Sequence, residues 1–295
     1  MAPVLDQQWL LGLLYRVGWR IGPRFPSALQ QFVSSAGAAI AVDRGGPTIE
    51  QYAENLRYAT GTTPDRALLR AGIASYLRNF LEVFSLPGWS RSKIIARVSS
   101  SGEGDLRRAM AAGGAVIALP HSGNWDLAGA WACVTGMPVS TVVEELAGPE
   151  FEEFRTFREG LGMQVIGHRD PTALSELMAA VRRGRLVCLV ADRDLLGSGL
   201  PVTWNGHPVT MPAGPAVVAR RTGAALFPMV SRFTPEGLQL DIGERIEHRP
   251  GRAGLIAMIQ DEADYFATKI AAQPQDWHLM QPFFTRPLIT DGAAA

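Results

Sequence analysis

A histidine and an aspartate, His121 and Asp126, form the segment of this sequence that is best suited to acid–base chemistry. They lie in LPHSGNWD, residues 119–126. A carboxylate that holds one imidazole N–H stabilises the cation that forms when the other ring nitrogen takes a proton from a substrate. The H-x-x-x-x-D spacing therefore predicts that His121 is a general base and that Asp126 assists it.

The nucleophile is predicted to come from the substrate rather than from the protein. The sequence contains no G-x-S-x-G elbow, and Ser122, which follows His121, lies in a different context. A substrate hydroxyl deprotonated by His121 could then act as the nucleophile. If the hydroxyl came from water, the same pair would make the chain a thioesterase-like hydrolase, and this alternative stays open.

The surrounding pattern predicts an α/β fold. The apolar run at 115–119 is predicted to be a buried strand that ends immediately before Pro120 and His121. After residue 105, short apolar runs alternate with amphipathic stretches, which predicts a largely parallel central sheet covered by helices. Predicted strands are 139–143, 164–166, 186–191, 225–233 and 237–242, and predicted helices are 125–135, 149–161, 172–183, 213–221 and 255–272. Residues 1–104 are predicted to form a helical segment that joins the 105–295 core in one compact unit.

Further charged residues follow two of these predicted strands. Glu144 comes after one, and Asp192, Arg193 and Asp194 come after another. Ligands of open α/β sheets collect beyond the carboxyl ends of the strands, so these side chains are candidates for binding the substrate. Arg158, on a predicted helix, suits a phosphate or could orient Glu144. A solvated acid, a self-paired turn and a surface arginine are the structural alternatives.

Attack on an acyl carbon also needs hydrogen-bond donors for the oxyanion that forms. Two helix N-termini could supply backbone N–H groups. One helix begins near Asn124, and the other is opened by the Pro-Ala-Gly-Pro run that contains Gly214. The sequence does not choose between them.

The N-terminal segment WLLGLLYRVGWRI, residues 9–21, predicts a helix that contacts a membrane surface. Trp9 and Trp19 suit the acyl boundary, and Arg16 and Arg20, four residues apart, share a helical face that suits anionic headgroups. An ordinary helix packed on the domain is the alternative. The sequence has no run of 18 apolar residues and no good signal peptide, so we expect a peripheral protein on the cytoplasmic face of the cell membrane.

The composition of the chain argues against several classes of partner. Charged residues are 19% of the 295-residue chain and the net charge is zero, which disfavours nucleic acid as a partner. Cys133 and Cys188 lie far apart in apolar runs, so they are predicted to be buried, reduced thiols. No spacing of histidine, cysteine or acidic residues indicates a metal site, and no permanently bound cofactor is expected.

Several segments together resemble the bacterial lipid acyltransferases, a family that includes the late acyltransferases of lipid A and an actinobacterial branch that acylates phosphatidylinositol mannosides. The similarity spans nearly the whole chain. It is carried by YRVGWR (15–20), SYLRNFLE (75–82), HSGNWD (121–126), VEEL (143–146), FREGLG (157–162), ADRDL (191–195) and PQDWHLMQP (274–282). The last three look specifically like the mannoside branch.

The resemblance implies a glycerol-phosphate-acyltransferase-like fold and an acyl-CoA co-substrate, for which we expect palmitoyl-CoA. It implies transfer to the 6-hydroxyl of a mannose, with His121 as base and Asp126 orienting it. One departure concerns Glu144-Glu145, where the mannoside branch often reads V-E-R-L or A-E-R-L, so the role of Glu145 is open. A lipid A-type or glycerol-phosphate acyltransferase and a non-catalytic lipid-binding protein remain alternatives.

Overall fold

The computed structural model describes residues 18, 20–24, 26–145, 150–195 and 197–284. Within these residues the α-helices are α1 (Ser27–Arg44), α2 (Pro47–Thr60), α3 (Arg66–Ser85), α4 (Arg91–Ala96), α5 (Glu103–Gly113), α6 (Trp125–Val134), α7 (Glu150–Gly160), α8 (Ala173–Arg182), α9 (Gly214–Thr222) and α10 (Gly251–Ala272). The strands are β1 (Val98–Ser101), β2 (Ala115–Leu119), β3 (Val139–Val143), β4 (Gln164–Gly167), β5 (Leu186–Val190), β6 (Leu200–Trp204), β7 (His207–Met211), β8 (Ala225–Phe233) and β9 (Leu238–Ile242). Short 3₁₀ turns span Gly22–Arg24, Leu86–Gly88 and Pro274–Asp276.

Seven of these strands form one sheet in the order β1-β9-β8-β2-β5-β3-β4. All neighbouring pairs are parallel except β8 and β9, which are antiparallel. This confirms the prediction of a largely parallel, helix-covered sheet preceded by a helical block. Leu119 of β2 pairs with Val190 of β5, so the residues that follow these two strands leave the sheet side by side.

The central strand β2 explains the uninterrupted apolar run in the sequence. All five of its residues are buried. Val116 and Ala118 belong to the core on one face of the sheet, whereas Ile117 and Leu119 belong to the core on the other. A strand covered by helices on both faces needs apolar side chains at every position, which removes the alternation expected of a half-exposed strand.

Four described elements, β1, α5, β6 and β7, were absent from the sequence-based prediction. Strand β1 is a polar edge strand, VSSS, which lies before the expected boundary at residue 104 and pairs with β9. Helix α5 follows it. The β6–β7 hairpin turns at Asn205 and Gly206, which have φ values of 50° and 80°. An Asn-Gly pair between apolar residues is a strong hairpin signal that could have located this turn.

The N-terminal block and the last described segment meet at helix α3. The Asp65 carboxylate caps α3 by accepting the Leu68 N–H, and α3 packs between α1 and the 3₁₀ turn at 274–276. The chain then crosses beneath the loop after β2, where Trp277 is fully buried and bridges to Ser122. No helix of the described ranges is long and apolar enough to cross a membrane. Trp9, Arg16 and Trp19 lie outside the described residues, and Arg20 is exposed.

Candidate active site

His121 is held by Asp192, the residue that follows the adjacent strand. The Asp192 carboxylate accepts the His121 backbone N–H through Oδ2 at 2.9 Å, and its Oδ1 lies 2.6 Å from His121 Nδ1. The Trp277 indole N–H donates to the same Oδ2 at 2.9 Å. These contacts fix both the loop after β2 and the orientation of the imidazole.

The charge of Asp192 decides the tautomer of His121. Asp192 is fully buried, which disfavours a charged carboxylate, but the attraction of His121 and the hydrogen bonds from His121 and Trp277 lower its pKa. An ionised carboxylate only accepts hydrogen bonds, so His121 Nδ1 carries a proton and donates it to Asp192. The second ring nitrogen, Nε2, is therefore the one that can take a proton from a ligand.

Asp126 has a different partner from the one expected. Its carboxylate accepts from Arg158 Nε at 2.6 Å and from an Arg158 terminal nitrogen at 3.1 Å, and both side chains are largely buried. The assistance to the imidazole that the H-x-x-x-x-D spacing assigned to Asp126 is supplied in this geometry by Asp192. A position in the first turn of α6 directs the Asp126 side chain towards α7, and a buried arginine requires a carboxylate there.

A cavity of about 450 Å³ opens beside His121. This volume lies within the range of about 300–1,000 Å³ that small-molecule sites occupy. Most of its wall is apolar and comes from α3, α6, β2, β3, β5, β8 and β9. The apolar lining includes Phe80, Val83, Leu106, Ile117, Leu119, Ala128, Trp131, Ala132, Met137, Met163, Leu189, Met229, Leu240 and Ile242. Such a wall suits an apolar ligand, and His121 also lines it.

The amino-acid sequence matches one enzyme family along nearly its whole length. The family described as bacterial lipid A biosynthesis acyltransferase matches residues 5–286. The chain belongs to this family. It is 40% identical to the phosphatidylinositol mannoside acyltransferase of Mycolicibacterium smegmatis over 278 residues, which cover 91% of this chain and 89% of that protein. A protein of the same name from Mycobacterium tuberculosis is 38% identical over 280 residues, 91% of this chain and 86% of its own.

This acyltransferase carries an ion pair on the wall of its cavity. Glu144 Oε2 accepts from a terminal nitrogen of Arg193 at 2.8 Å, and both side chains are about one third exposed and line the cavity. Asp194 lies farther along the same loop and accepts the N–H groups of Ser198 and Gly199. The three charges after β5 thus separate into Asp192 beneath His121, Arg193 on the cavity wall and Asp194 in the loop.

The helix N-terminus beside His121 retains backbone donors. The Asn124 side chain caps α6 by accepting the Leu127 N–H at 2.9 Å, and its amide N–H donates to Glu82. Among the described residues, no acceptor in the protein binds the backbone N–H groups of Trp125 and Asp126, as is usual in a first helical turn. Gly214 is absent from the described cavity lining, so the α6 terminus lies nearer to the acyltransferase cavity than the α9 terminus does.

Several polar residues of this site were not singled out as site residues in the sequence. Tyr76, Asn79 and His278 line the cavity, and Glu82 lies beneath it between Arg78 and Asn124. Asn79 and Glu82 are three residues apart on α3, a spacing that places them on one helical face and marks that face as polar within an otherwise apolar helix. The segment containing His278 was noticed only as part of a family motif.

The environments of Ser122 and of the two cysteines do not suit nucleophiles. Ser122 is buried, and its hydroxyl accepts the Ser231 backbone N–H at 3.3 Å. Cys133 and Cys188 are free and half-buried, and burial raises the pKa of both thiols, so they stay protonated. The described part of the chain contains no cluster of histidine, cysteine or acidic residues that could hold a metal ion.

Proposed function

We propose that the chain transfers a fatty acyl group, palmitoyl, from acyl-CoA to the 6-hydroxyl of a mannose of a phosphatidylinositol mannoside. The observation that carries this proposal is His121, oriented by Asp192 through Nδ1, on the wall of an apolar cavity. The names of the mycobacterial relatives supply the acceptor. The cavity wall supports an aliphatic donor, since each methylene that leaves water contributes about 0.8 kcal/mol.

In the proposed reaction, His121 Nε2 takes the proton of the mannose hydroxyl as its oxygen attacks the thioester carbon. The C–O bond forms, and the carbonyl oxygen becomes an oxyanion. This oxyanion accepts hydrogen bonds from the backbone N–H groups of Trp125 and Asp126. The C–S bond then breaks. The imidazolium returns the proton to the departing thiolate, which leaves as coenzyme A. Asp192 stabilises the imidazolium between the two proton transfers.

The acceptor headgroup is proposed to lie against the Glu144–Arg193 pair. The pair is partly exposed and lies on the wall of the cavity that His121 also lines. A carboxylate accepts hydrogen bonds from sugar hydroxyls, and a guanidinium binds phosphate oxygens in bidentate geometry. Arg158, whose guanidinium is engaged by Asp126, serves in this proposal to hold the α6–α7 wall rather than to bind phosphate.

We further propose that the protein works as a peripheral protein at the cytoplasmic face of the cell membrane. Helix α1 exposes four large apolar side chains, and Ile21 precedes them. The α1 residues are Leu29, Phe32, Val33 and Ile40, with Phe32 69% exposed. Such side chains suit the acyl boundary of a bilayer, and an apolar acceptor would reach the site from there.

Purified enzyme incubated with palmitoyl-CoA and a phosphatidylinositol mannoside tests this function. We expect coenzyme A release that depends on the mannolipid, an acylated product, and loss of both in His121→Ala with the fold intact by circular dichroism. A 6-deoxymannose form of the acceptor should accept no acyl group. Coenzyme A release without any acceptor would identify a hydrolase, and lipid binding without turnover would identify a carrier; either result overturns the proposal.

A further inference from the structure

Two buried side chains on the cavity wall have hydrogen-bond acceptors that nothing in the described part of the chain satisfies. They are Asn79 Oδ1, on α3, and His278 Nδ1, on the segment that follows the 3₁₀ turn at 274–276. Asn79 is 1% exposed and His278 5% exposed. A buried acceptor without a donor costs about 1–3 kcal/mol, so two of them beside one cavity indicate a ligand that supplies donors.

The hydrogen bonds around Ser75 determine which nitrogen of His278 is the acceptor. The Ser75 hydroxyl donates to Asp276 Oδ1 at 2.6 Å, and the other oxygen of Asp276 accepts from Phe233 N and Gln273 Nε2, both at 2.8 Å. Because a hydroxyl has one hydrogen, the 2.9 Å contact between Ser75 and His278 Nε2 must use an N–H of the histidine. His278 therefore carries its proton on Nε2, and Nδ1 presents a lone pair.

His278 stays neutral in this environment. Burial lowers its pKa to about 3, and the charge of His121 acts in the same direction. The His278 backbone N–H donates to the His121 carbonyl at 2.7 Å, and the rings of both histidines contact Trp125 edge-on, with centroids 5.4 Å and 6.2 Å from it. The two imidazole rings thus contact the same tryptophan on the wall of one cavity.

We propose that Asn79 Oδ1 and His278 Nδ1 bind hydroxyl groups of the polyol acceptor and position its reactive hydroxyl at His121 Nε2. This inference rests on the proposed function and names further acceptor-binding residues for it. The aliphatic part of an acyl donor has no hydrogen to donate, whereas a sugar ring carries several O–H donors. The two acceptors also explain why a polar patch on α3 is retained inside an apolar cavity.

Two substitutions of His278 test the roles of its two ring nitrogens separately. His278→Gln keeps an amide N–H for Ser75 and removes the acceptor at Nδ1, whereas His278→Asn places an amide oxygen near Nδ1 and loses the Ser75 contact. We expect His278→Gln and Asn79→Leu each to raise KM for the mannoside at least about tenfold with KM for palmitoyl-CoA unchanged, and His278→Asn to retain most acceptor affinity. An unchanged acceptor KM in His278→Gln and Asn79→Leu, or an equal rise in both KM values, overturns the inference.

A binding measurement keeps this inference separate from the proposed function. Long-range ¹H–¹⁵N spectra of the wild-type protein report the Nδ1 and Nε2 signals of His278 without any turnover, and methyl α-D-mannoside is the probe. We expect the unprotonated Nδ1 signal to move towards that of a hydrogen-bonded nitrogen on titration, and no such movement in Asn79→Leu at the same concentration. A wild-type protein that fails to transfer acyl groups but shows this shift refutes only the proposed function. An Nδ1 signal that does not respond to the sugar refutes the inference.

Discussion

Asp192 holds His121 through two separate donors, the ring Nδ1–H and the backbone N–H, and so fixes the tautomer and the loop together. The two residues follow adjacent parallel strands whose last residues are in register. One side chain therefore couples the geometry of the sheet edge to the chemistry of the base.

Asp192→Asn should lower kcat by about 10²–10⁴-fold with little change in either KM, since the amide can turn an N–H towards Nδ1 and impose the wrong tautomer on His121. The measurement is steady-state transfer at saturating donor and acceptor, with thermal melting to show that the variant folds. Asp194→Asn, in the same loop but outside the described cavity lining, is the matched control and should keep wild-type kcat. Similar losses in both variants would argue that the effect comes from the loop and not from the imidazole.

The Asp126–Arg158 pair allows a test of how Asp126 acts. Removing either partner leaves a buried charge unpaired, so Asp126→Asn and Arg158→Met should each lower the free energy of unfolding by about 3–5 kcal/mol. The double variant Asp126→Leu/Arg158→Met should recover most of that stability in urea denaturation. Recovery of transfer activity in the double variant would assign Asp126 a structural role through Arg158. A stable but inactive double variant would instead support direct participation of Asp126 in catalysis.

Small residues of α6 line the cavity, and we expect them to limit the length of the acyl chain that the enzyme accepts. Ala132 lines the cavity about 10 Å along the helix from Trp125. Ala132→Leu should take the space of about two methylenes, which costs a palmitoyl chain about 1.6 kcal/mol and lowers kcat/KM roughly tenfold, while a shorter acyl-CoA is unaffected. Competition between palmitoyl-CoA and decanoyl-CoA measures the preference. Val134→Leu, at a position outside the described lining, should leave it unchanged.

His278 should contribute a loss of stability on mild acidification, whereas Glu262, a buried carboxyl whose pKa is raised well above its ordinary value, contributes in the opposite direction. The unfolded chain protonates His278 near its ordinary pKa of 6.5, whereas the folded pKa is about 3. The unfolded state binds more protons between these values, so the free energy of unfolding decreases as pH falls through that window, by at most about 1.4 kcal/mol per pH unit. Because the pKa of Asp192 is lowered in the folded state, this residue further decreases the free energy of unfolding below pH 3.8. Urea midpoints measured from pH 7 to pH 4 should show a flatter slope in His278→Gln, and an equal slope would contradict this assignment.

The exposed side chains of α1 predict how the protein contacts lipid. Phe32→Asp should weaken binding to anionic vesicles severalfold, because it removes an exposed aromatic ring and adds a charge that the membrane repels. Vesicle co-sedimentation measures the effect, and turnover of a water-soluble mannoside should not change. Ile95→Asp, which alters an exposed apolar residue of α4, is the control. Equal loss of vesicle binding in both variants would show that α1 has no special part in lipid contact.

The sequence pattern predicted several strands of the sheet well. The segments that became β2, β3 and β8 have the predicted bounds. The clearest is β2, whose continuous apolar run between polar turns is typical of a fully buried strand. The polar edge strand β1 has no such pattern. Its residues are exposed or half-buried, and pairing with β9 alone makes them a strand.

Sequence spacing did not determine which carboxylate forms a hydrogen bond with the His121 imidazole. Asp126 is near in sequence, and Asp192 is 71 residues away. Both follow a strand end, and local pattern alone favoured the nearer one. The choice depends on the strand order, which places β5 beside β2, and on Arg158, which engages Asp126 from another helix. Neither is visible in a linear motif, since both depend on contacts between distant segments.

The Trp277 indole donates to Asp192 from 85 residues farther along the chain. Synthesis proceeds from the N-terminus, so a ribosome-bound chain that already contains His121 and Asp192 still lacks the donor that completes the carboxylate's hydrogen bonds. The hydrogen bonds of this carboxylate are thereby completed only after residue 277 has been synthesised. A polypeptide that stops before residue 277 would carry the histidine and the aspartate without the indole donor to the Asp192 carboxylate.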